Sequence, residues 1–266
     1  MSAENLFDLG GQVALVTGAG QGLGRAIAKM LADQGATVIV NDFHGDRAER
    51  VAAEIIGNGG RAAPLQADVT DLETLTSRLA GASTKLGPIS ILVNNAGNGG
   101  AEGFPPDLPL FWDSNPRQWR QFAEVNLFGV MNCCHAVLRA MVAAGKGRIV
   151  TITSDAARNL EPRQASYAAA KAGAAGFMRA LAADTARFNI TANSVAISTL
   201  EPAMPHDQLE AFLASDRSKR QLARYPLRRY GQAEDIVGTV LLLCSDAAGW
   251  TTGQTYPVNG GYSPSL

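Results

Sequence analysis

The sequence predicts an α/β fold built on a single doubly wound parallel sheet with helices on both faces. Three observations carry this. Short apolar runs without polar alternation recur along the chain, and such runs are buried on both faces of a sheet. They alternate with segments of helical length and helical apolar spacing, the pattern of parallel strands joined by right-handed crossovers. No linker, repeat or charge block divides the 266 residues, so residues 1–266 read as one domain.

The elements follow in order. Gln12–Thr17 is a first strand that ends in a glycine cluster. Gly22–Gln34 repeats Leu23, Ile27, Met30 and Leu31 at helical spacing, and Gly35 stops it. Ala36–Asn41 is a second strand, Arg47–Ile56 a helix and Ala62–Ala67 a third strand. Asp71 can cap a helix over Leu72–Leu86, with Glu73 in its first turn. Ile89–Val93 is strand four, and Asn115-Pro116 opens a long helical stretch. Arg148–Thr153 and Ile190–Ala196 are strands flanking an alanine-rich helix, Gln164–Phe188. Ala233–Cys244 is a helix and Thr255–Val258 a last strand. Residues 98–115 and 198–230 read as irregular. Both follow strand ends on the side where open parallel sheets bind ligands, so they are the expected substrate walls. Phe104, Phe111 and Trp112 strengthen that expectation for the first.

Composition narrows the function. Hydrophobic residues make up 46% and charged residues 18%, as in a globular protein. Twenty-three basic against 24 acidic residues argue against a nucleic-acid partner or an anionic membrane surface. Three cysteines are too few and too odd for a disulfide framework and suit a reducing compartment. The opening MSAENLFDLGG, with two acids and no base, does not read as a secretory signal. The longest uncharged stretches, Leu9–Gly24 and Leu86–Ala101, fall short of the ~20 apolar residues of a membrane span. A soluble cytoplasmic protein is expected.

Between the first strand and helix, Gly18, Gly22 and Gly24 give the spacing G-x-x-x-G-x-G. Glycines there allow a tight turn and close approach of backbone to a pyrophosphate, with a helix N-terminus offering free N–H groups. Asp42 ends strand two, eighteen residues after Gly24, close to the roughly 20 at which a carboxylate accepts the adenosine ribose hydroxyls. A carboxylate there repels a 2′-phosphate, and Gln21 and Phe43 bring no positive charge, which favours NAD over NADP. Capping the next loop is the second reading of Asp42, and Arg47 is a nearby cation. Asp68, followed by Val69, ends strand three where an adenine ring would lie; capping the helix that begins near Asp71 is its other role.

Tyr167 and Lys171 are one turn apart on a helix and share a face. A phenol is a poor base at its ordinary pKa near 10, but a neighbouring ammonium favours the phenolate. Such a pair can take a proton from an alcohol as hydride leaves its carbon. Small residues around it permit close approach. Ser154 ends strand five, where its hydroxyl could hold the substrate oxygen. Asn126, taken alone, is equally a satisfied helix-interior amide. Cys133, Cys134 and His135 point in different directions on a helix and read as packing; no metal site is expected. No G-x-S-x-G elbow surrounds Ser154, which argues against a hydrolase.

These pieces, with Asn94-Asn95-Ala96-Gly97, Asn193-Ser194-Val195-Ala196 and the ending Thr252-Gly253-Gln254 to Val258-Asn259-Gly260-Gly261, resemble the classical short-chain dehydrogenase/reductase family. The resemblance covers roughly residues 8–262. It implies a Rossmann fold and an NAD-dependent oxidoreductase acting on a small-molecule secondary alcohol or ketone, assembled as a homotetramer or homodimer on its two long helices. It implies Tyr167 as acid/base, Lys171 lowering its pKa and binding the nicotinamide ribose, Ser154 polarising the substrate oxygen, and Asn126 supporting a water beside Lys171. Gly18, Gln21, Gly22, Leu23, Gly24, Asp42, Asp68, Val69, Asn94, Ala96 and Gly97 would contact the cofactor. The family usually has Pro-Gly after strand six; this chain has Ile197-Ser198-Thr199-Leu200, with Thr199 the candidate for the nicotinamide contact. The apolar loop residues suggest a hydrophobic or cyclic substrate. A 3-oxoacyl-thioester reductase and a non-catalytic cofactor sensor are the alternatives.

Overall fold

The apolar runs become seven parallel strands: β1 (Val13–Val16), β2 (Thr37–Asp42), β3 (Arg61–Gln66), β4 (Ile89–Asn94), β5 (Gly147–Ser154), β6 (Ile190–Ile197) and β7 (Thr255–Val258). The computed structural model describes residues 6–97, 108–202 and 204–263. The strands lie in the order β3-β2-β1-β4-β5-β6-β7. All the pairings are parallel. The winding direction reverses between β1 and β4, and connections leave that point toward opposite faces. A crevice therefore opens above the carboxyl ends of these strands, where α/β sheets bind ligands.

Alternation along each strand divides the core. Ala14 and Val16 face α1 (Gly22–Asp33), α2 (Gly45–Gly57) and α9 (Ala233–Cys244), meeting Ile27, Leu31, Val51 and Val240. Val13 and Leu15 face the other layer, α3 (Leu72–Leu86), α5 (Gly129–Ala144) and α6 (Ala165–Thr185), meeting Leu75, Val130, Val137 and Met178. This is the period of two that a strand imposes. Asp71 caps α3 by accepting from Thr74 N at 3.0 Å, and Asn115 caps α4 (Pro116–Ala123), with Pro116 in its first turn.

α4 and α5 form one continuous helix, Pro116–Ala144, interrupted by a π-helical turn over Glu124–Phe128. By length and composition this helix could cross a membrane. Here α5 packs against α3, α6 and β4 and contributes Val130, Cys133, Val137 and Met141 to the core, while Phe128 and Met131 stay exposed.

The expectation of irregular chain over 198–230 is corrected. This stretch contains α7 (His206–Ala214) and α8 (Asp216–Leu222). Ser215 caps α8 by accepting from Ser218 N, and Phe212 stacks on the buried Tyr230 at 5.8 Å. Helices this short show too few turns for apolar periodicity to stand out. Phe104 lies outside the described residues. Phe111 stacks on Trp119 at 4.8 Å, and Trp112 points to solvent. At the amino-terminal end of the strands, the buried Arg148 donates to the carbonyls of Gly147, Asn189 and Ser245 and pairs with Asp246 at 3.0 Å, fastening the start of β5.

Candidate active site

A cavity of about 600 Å³ runs across the carboxyl ends of β1, β2, β4, β5 and β6. Its size falls within the range of cofactor clefts. Gly18, Gln21, Gly22, Leu23 and Gly24 line one stretch of it. A Cβ on Gly24 would sit 2.3 Å from the Gly18 carbonyl, so only glycine lets the first turn of α1 close on the loop before it. Gln21 makes no side-chain cap on α1, and no acidic residue occupies that helix's first turn. Its N–H groups and partial positive charge are left for an anion.

Asp42 is almost wholly buried and braces this loop: one oxygen accepts from Gly20 N at 2.9 Å, the other from His44 N at 2.9 Å. Each oxygen keeps a further lone pair, and the residue borders the cavity. Arg47 borders it too, and Arg50 donates to the Gly20 carbonyl at 3.2 Å. Asp68 and Val69 line the cavity; Asp68 accepts from Thr70 N at 2.9 Å and leaves the capping of α3 to Asp71.

The two adjacent asparagines divide their work. Asn94 lies beneath the floor, outside the cavity lining, and donates to Thr151 Oγ1 at 3.1 Å and Cys134 Sγ at 3.5 Å. Asn95 reaches the glycine turn, donating to the carbonyls of Thr17 and Gly18 at 2.9 and 3.0 Å. Sequence reasoning singled out Asn94; only the turn of the chain after β4 tells the two apart. Ala96 and Gly97 complete the floor.

At the far end stand Tyr167 and Lys171, both buried on α6 and both bordering the cavity. The Tyr167 hydroxyl hydrogen-bonds to the Ser154 side chain, and Ser154 Oγ accepts from Ala156 N at 3.1 Å. Phe122 packs edge-on against the Tyr167 ring at 5.7 Å. Lys171 Nζ donates to the Ile152 carbonyl at 2.9 Å and lies 6.0 Å from the Tyr167 ring centre. Asn126 is fully buried on the π-helical turn and donates to the Phe122 carbonyl at 3.0 Å. A Cβ on Gly97 would fall 3.0 Å from both Asn126 Oδ1 and Lys171 Nζ, so the three residues converge.

Burial drives the electrostatics of this corner. It pushes the Tyr167 phenol up to about 12, a rise the hydrogen bond from Ser154 only partly offsets. It brings the Lys171 ammonium down to about 8. The sequence suggests a phenol made acidic by its lysine; in the protein chain itself, desolvation is the larger effect. Thr199 stands apart from the cavity. Its Oγ1 accepts from Gln221 Nε2 at 2.9 Å, and Ile197 and Leu200 line the cavity in its place. The same desolvation pushes the Cys134 thiol up to about 12, which suits an inert packing residue.

The glycine turn, the braced carboxylate and the tyrosine–lysine pair share one crevice, with Ser154 behind the tyrosine, and comparison with known proteins gives the family of the chain. The family model described as enoyl-(acyl carrier protein) reductase matches residues 18–263. The 7α-hydroxysteroid dehydrogenase of Escherichia coli (strain K12) is 38% identical over 260 residues, 98% of this chain and 97% of its own. The 3-oxoacyl-[acyl-carrier-protein] reductase FabG of the same organism is 38% identical over 251 residues, 94% of this chain and 97% of its own. A solved 7α-hydroxysteroid dehydrogenase, complexed with NADH and 7-oxo glycochenodeoxycholic acid, is 36% identical with a TM-score of 0.86, covering 98% of each chain. Solved relatives carry either nicotinamide cofactor, NADH or NADP. The chain belongs to the short-chain dehydrogenase/reductase family. It is an oxidoreductase acting on alcohol or ketone groups with a nicotinamide cofactor.

Proposed function

We propose that the protein oxidises a hydrophobic or cyclic secondary alcohol with NAD in preference to NADP, using Tyr167 as the acid/base. The observation that carries this reading is the Tyr167–Ser154 hydrogen bond, with Lys171 behind it, on the same cavity as the glycine turn. Gly18–Gly24 would hold the pyrophosphate, Asp42 the adenosine ribose, Asp68 and Val69 the adenine, and Ala96 and Gly97 the floor. When bound, the nicotinamide supplies the hydride acceptor and a positive ring charge.

The chain's own residues manage the proton. Ser154 Oγ donates to the substrate oxygen and fixes it beside Tyr167. The Tyr167 phenolate takes the hydroxyl proton as the carbon loses hydride. Positive charge near the phenol offsets the burial that opposes its ionisation, and the buried Lys171 ammonium is the chain's source of that charge. Asn126 Oδ1, beside Lys171 Nζ at Gly97, keeps that ammonium oriented. Thr199 has no cofactor role in this reading, because Gln221 already engages its hydroxyl. Ile197, Leu200 and Val125 give the cavity apolar surface toward the substrate.

A homotetramer or homodimer, without nucleic-acid or membrane partners, fits the exposed Phe128 and Met131 on the long helix. Three free, buried cysteines fit a cytoplasmic setting. The test is NADH absorbance across a panel of secondary alcohols that includes a 7α-hydroxysteroid. We expect turnover with kcat/KM at least about tenfold higher for NAD than for NADP, since a 2′-phosphate would bring like charge against Asp42. A preference for NADP would show that Arg47, not Asp42, governs that end of the cavity. Reduction of acetoacetyl-CoA with no alcohol oxidised would favour the thioester-reductase reading, which the FabG similarity supports. Cofactor binding without any turnover would favour a sensor.

A further inference from the structure

The residues that close the described chain, Tyr262 and Ser263, touch two segments that the Arg224–Glu161 ion pair also joins. One is the loop after β5, which begins one residue beyond Ser154. Ser263 Oγ donates to Asp155 Oδ1 at 2.8 Å, and Asp155 is buried. Asn259 Nδ2 donates to the Ser263 carbonyl and hydroxyl at 2.9 and 3.2 Å, setting the angle of that hydroxyl. The Tyr262 hydroxyl donates to Glu161 in the same loop. The other segment is the chain that follows β6. The Tyr262 ring lies 4.9 Å from the Tyr225 ring, and the Arg224 guanidinium sits over it at 4.6 Å while pairing with Glu161 at 3.3 Å. The Tyr225 hydroxyl in turn hydrogen-bonds Ser198 Oγ and accepts from Thr199 N at 3.3 Å, between the cavity-lining Ile197 and Leu200.

We propose that Tyr262 and Ser263 are positioning residues that clasp the Ser154 loop to the segment after β6, so that the two substrate walls hold one relative position. The chemistry of the contacts supports a clasp over mere surface packing. Two hydroxyls reach two carboxylates of one loop, and a tilted tyrosine–tyrosine contact reaches the other segment. Side-chain hydrogen bonds to carboxylates are among the stronger ones, and a sandwiched tyrosine adds rigid contact at small entropic cost. The Tyr225 hydroxyl holds the first two residues after β6 by side-chain and backbone bonds, so the position of that segment depends on what holds Tyr225. Only the turnover arm of the test below rests on the oxidoreductase reading.

Amide hydrogen exchange on the full-length protein tests the coupling, and linkage makes the expectation reciprocal. Ser263→Ala removes a contact to the Ser154 loop only, yet exchange in 198–202 and 216–227 should also quicken, by about fivefold, the cost of one net hydrogen bond. Tyr225→Phe removes a contact to the other wall only, yet residues 155–161 should quicken likewise. If each substitution loosens only the wall it touches, the clasp is overturned, whatever the enzyme's substrate. In the turnover arm, Ser263→Ala should raise KM for a 7α-hydroxysteroid about fivefold while kcat and KM for NAD stay within about twofold. An unchanged KM with faster exchange at both walls would overturn the positioning role. Absence of wild-type turnover on every alcohol would count against the proposed function alone, with the exchange result still deciding the clasp.

Discussion

Tyr167→Phe is expected to lower turnover by about 10²–10⁴-fold, the contribution of a positioned acid/base, while NADH still binds. The separation follows from the geometry. The substitution removes one oxygen and keeps the ring that packs against Phe122. Ser154 keeps its bond from Ala156 N. The glycine turn and Asp42, at the other end of the cavity, lose nothing. Stopped-flow or steady-state NADH absorbance reads the first quantity and fluorescence titration of NADH the second. Full activity in the variant would assign the proton to another group; loss of both quantities would show that the hydroxyl serves the fold.

Lys171→Met tests the other half of the corner and carries a signature in stability. Burial holds the folded-state pKa of Lys171 at about 8, below the ordinary 10.5. Below pH 8 both folded and unfolded chains carry the proton, and the folded chain bears a buried charge. Between about pH 8 and 10.5 the folded chain releases it first, so the unfolded chain binds more protons and stability rises with pH. Lys171's own contribution to that rise is about 3 kcal/mol at about 1.4 kcal/mol per unit. Tyr167 acts in the opposite sense above pH 10, because the folded chain keeps its proton up to about 12. Above pH 9 the buried thiols of Cys133, Cys134 and Cys244, all pushed up by burial, act in that same opposing sense, so stability of the cofactor-free protein should rise from pH 8 and peak near pH 9. Urea unfolding at successive pH values measures it. In Lys171→Met the rise from pH 8 should vanish, and turnover should fall by about 10² or more. A rise that survives in the variant would belong to another group.

Much of the fold is legible in the sequence because its signals are local and long. β1, β2, β4, β5 and β6 are apolar runs with both faces covered, and their bounds fall within a residue or two of the sequence reading. α3 and α4 announce themselves by Asp71 and by Asn115-Pro116. α7 and α8 do not, because two turns of helix carry little pattern and draw their order from Phe212 on Tyr230. The cavity gathers the glycine turn, Asp42 and Asp68, singled out by their places at strand ends, Tyr167 and Lys171, singled out by helical spacing, and Ala96 and Gly97, which the family resemblance implied. Other features depend on where the chain turns in three dimensions. Asn95 rather than Asn94 meets the glycine turn, Thr199 faces Gln221 rather than the cavity, and the C-terminal tyrosine reaches Glu161 across a hundred residues of sequence. The depressed lysine and elevated phenol are also tertiary facts, since burial alone sets their direction.

The π-helical turn at Glu124–Phe128 makes one long rod serve two masters. Its extra residue offsets the rotational phase of the second half against the first by about 100°, one residue's worth of helix. The leading half can then aim Phe122 at the tyrosine while the trailing half beds Val130 and Val137 on the sheet and leaves Phe128 and Met131 outward. Deleting a single residue there would re-gear the rod. Asn126 would swing from Lys171 and the outward Phe128 and Met131 would change heading, so the site and the exposed face of this helix share one mechanical setting.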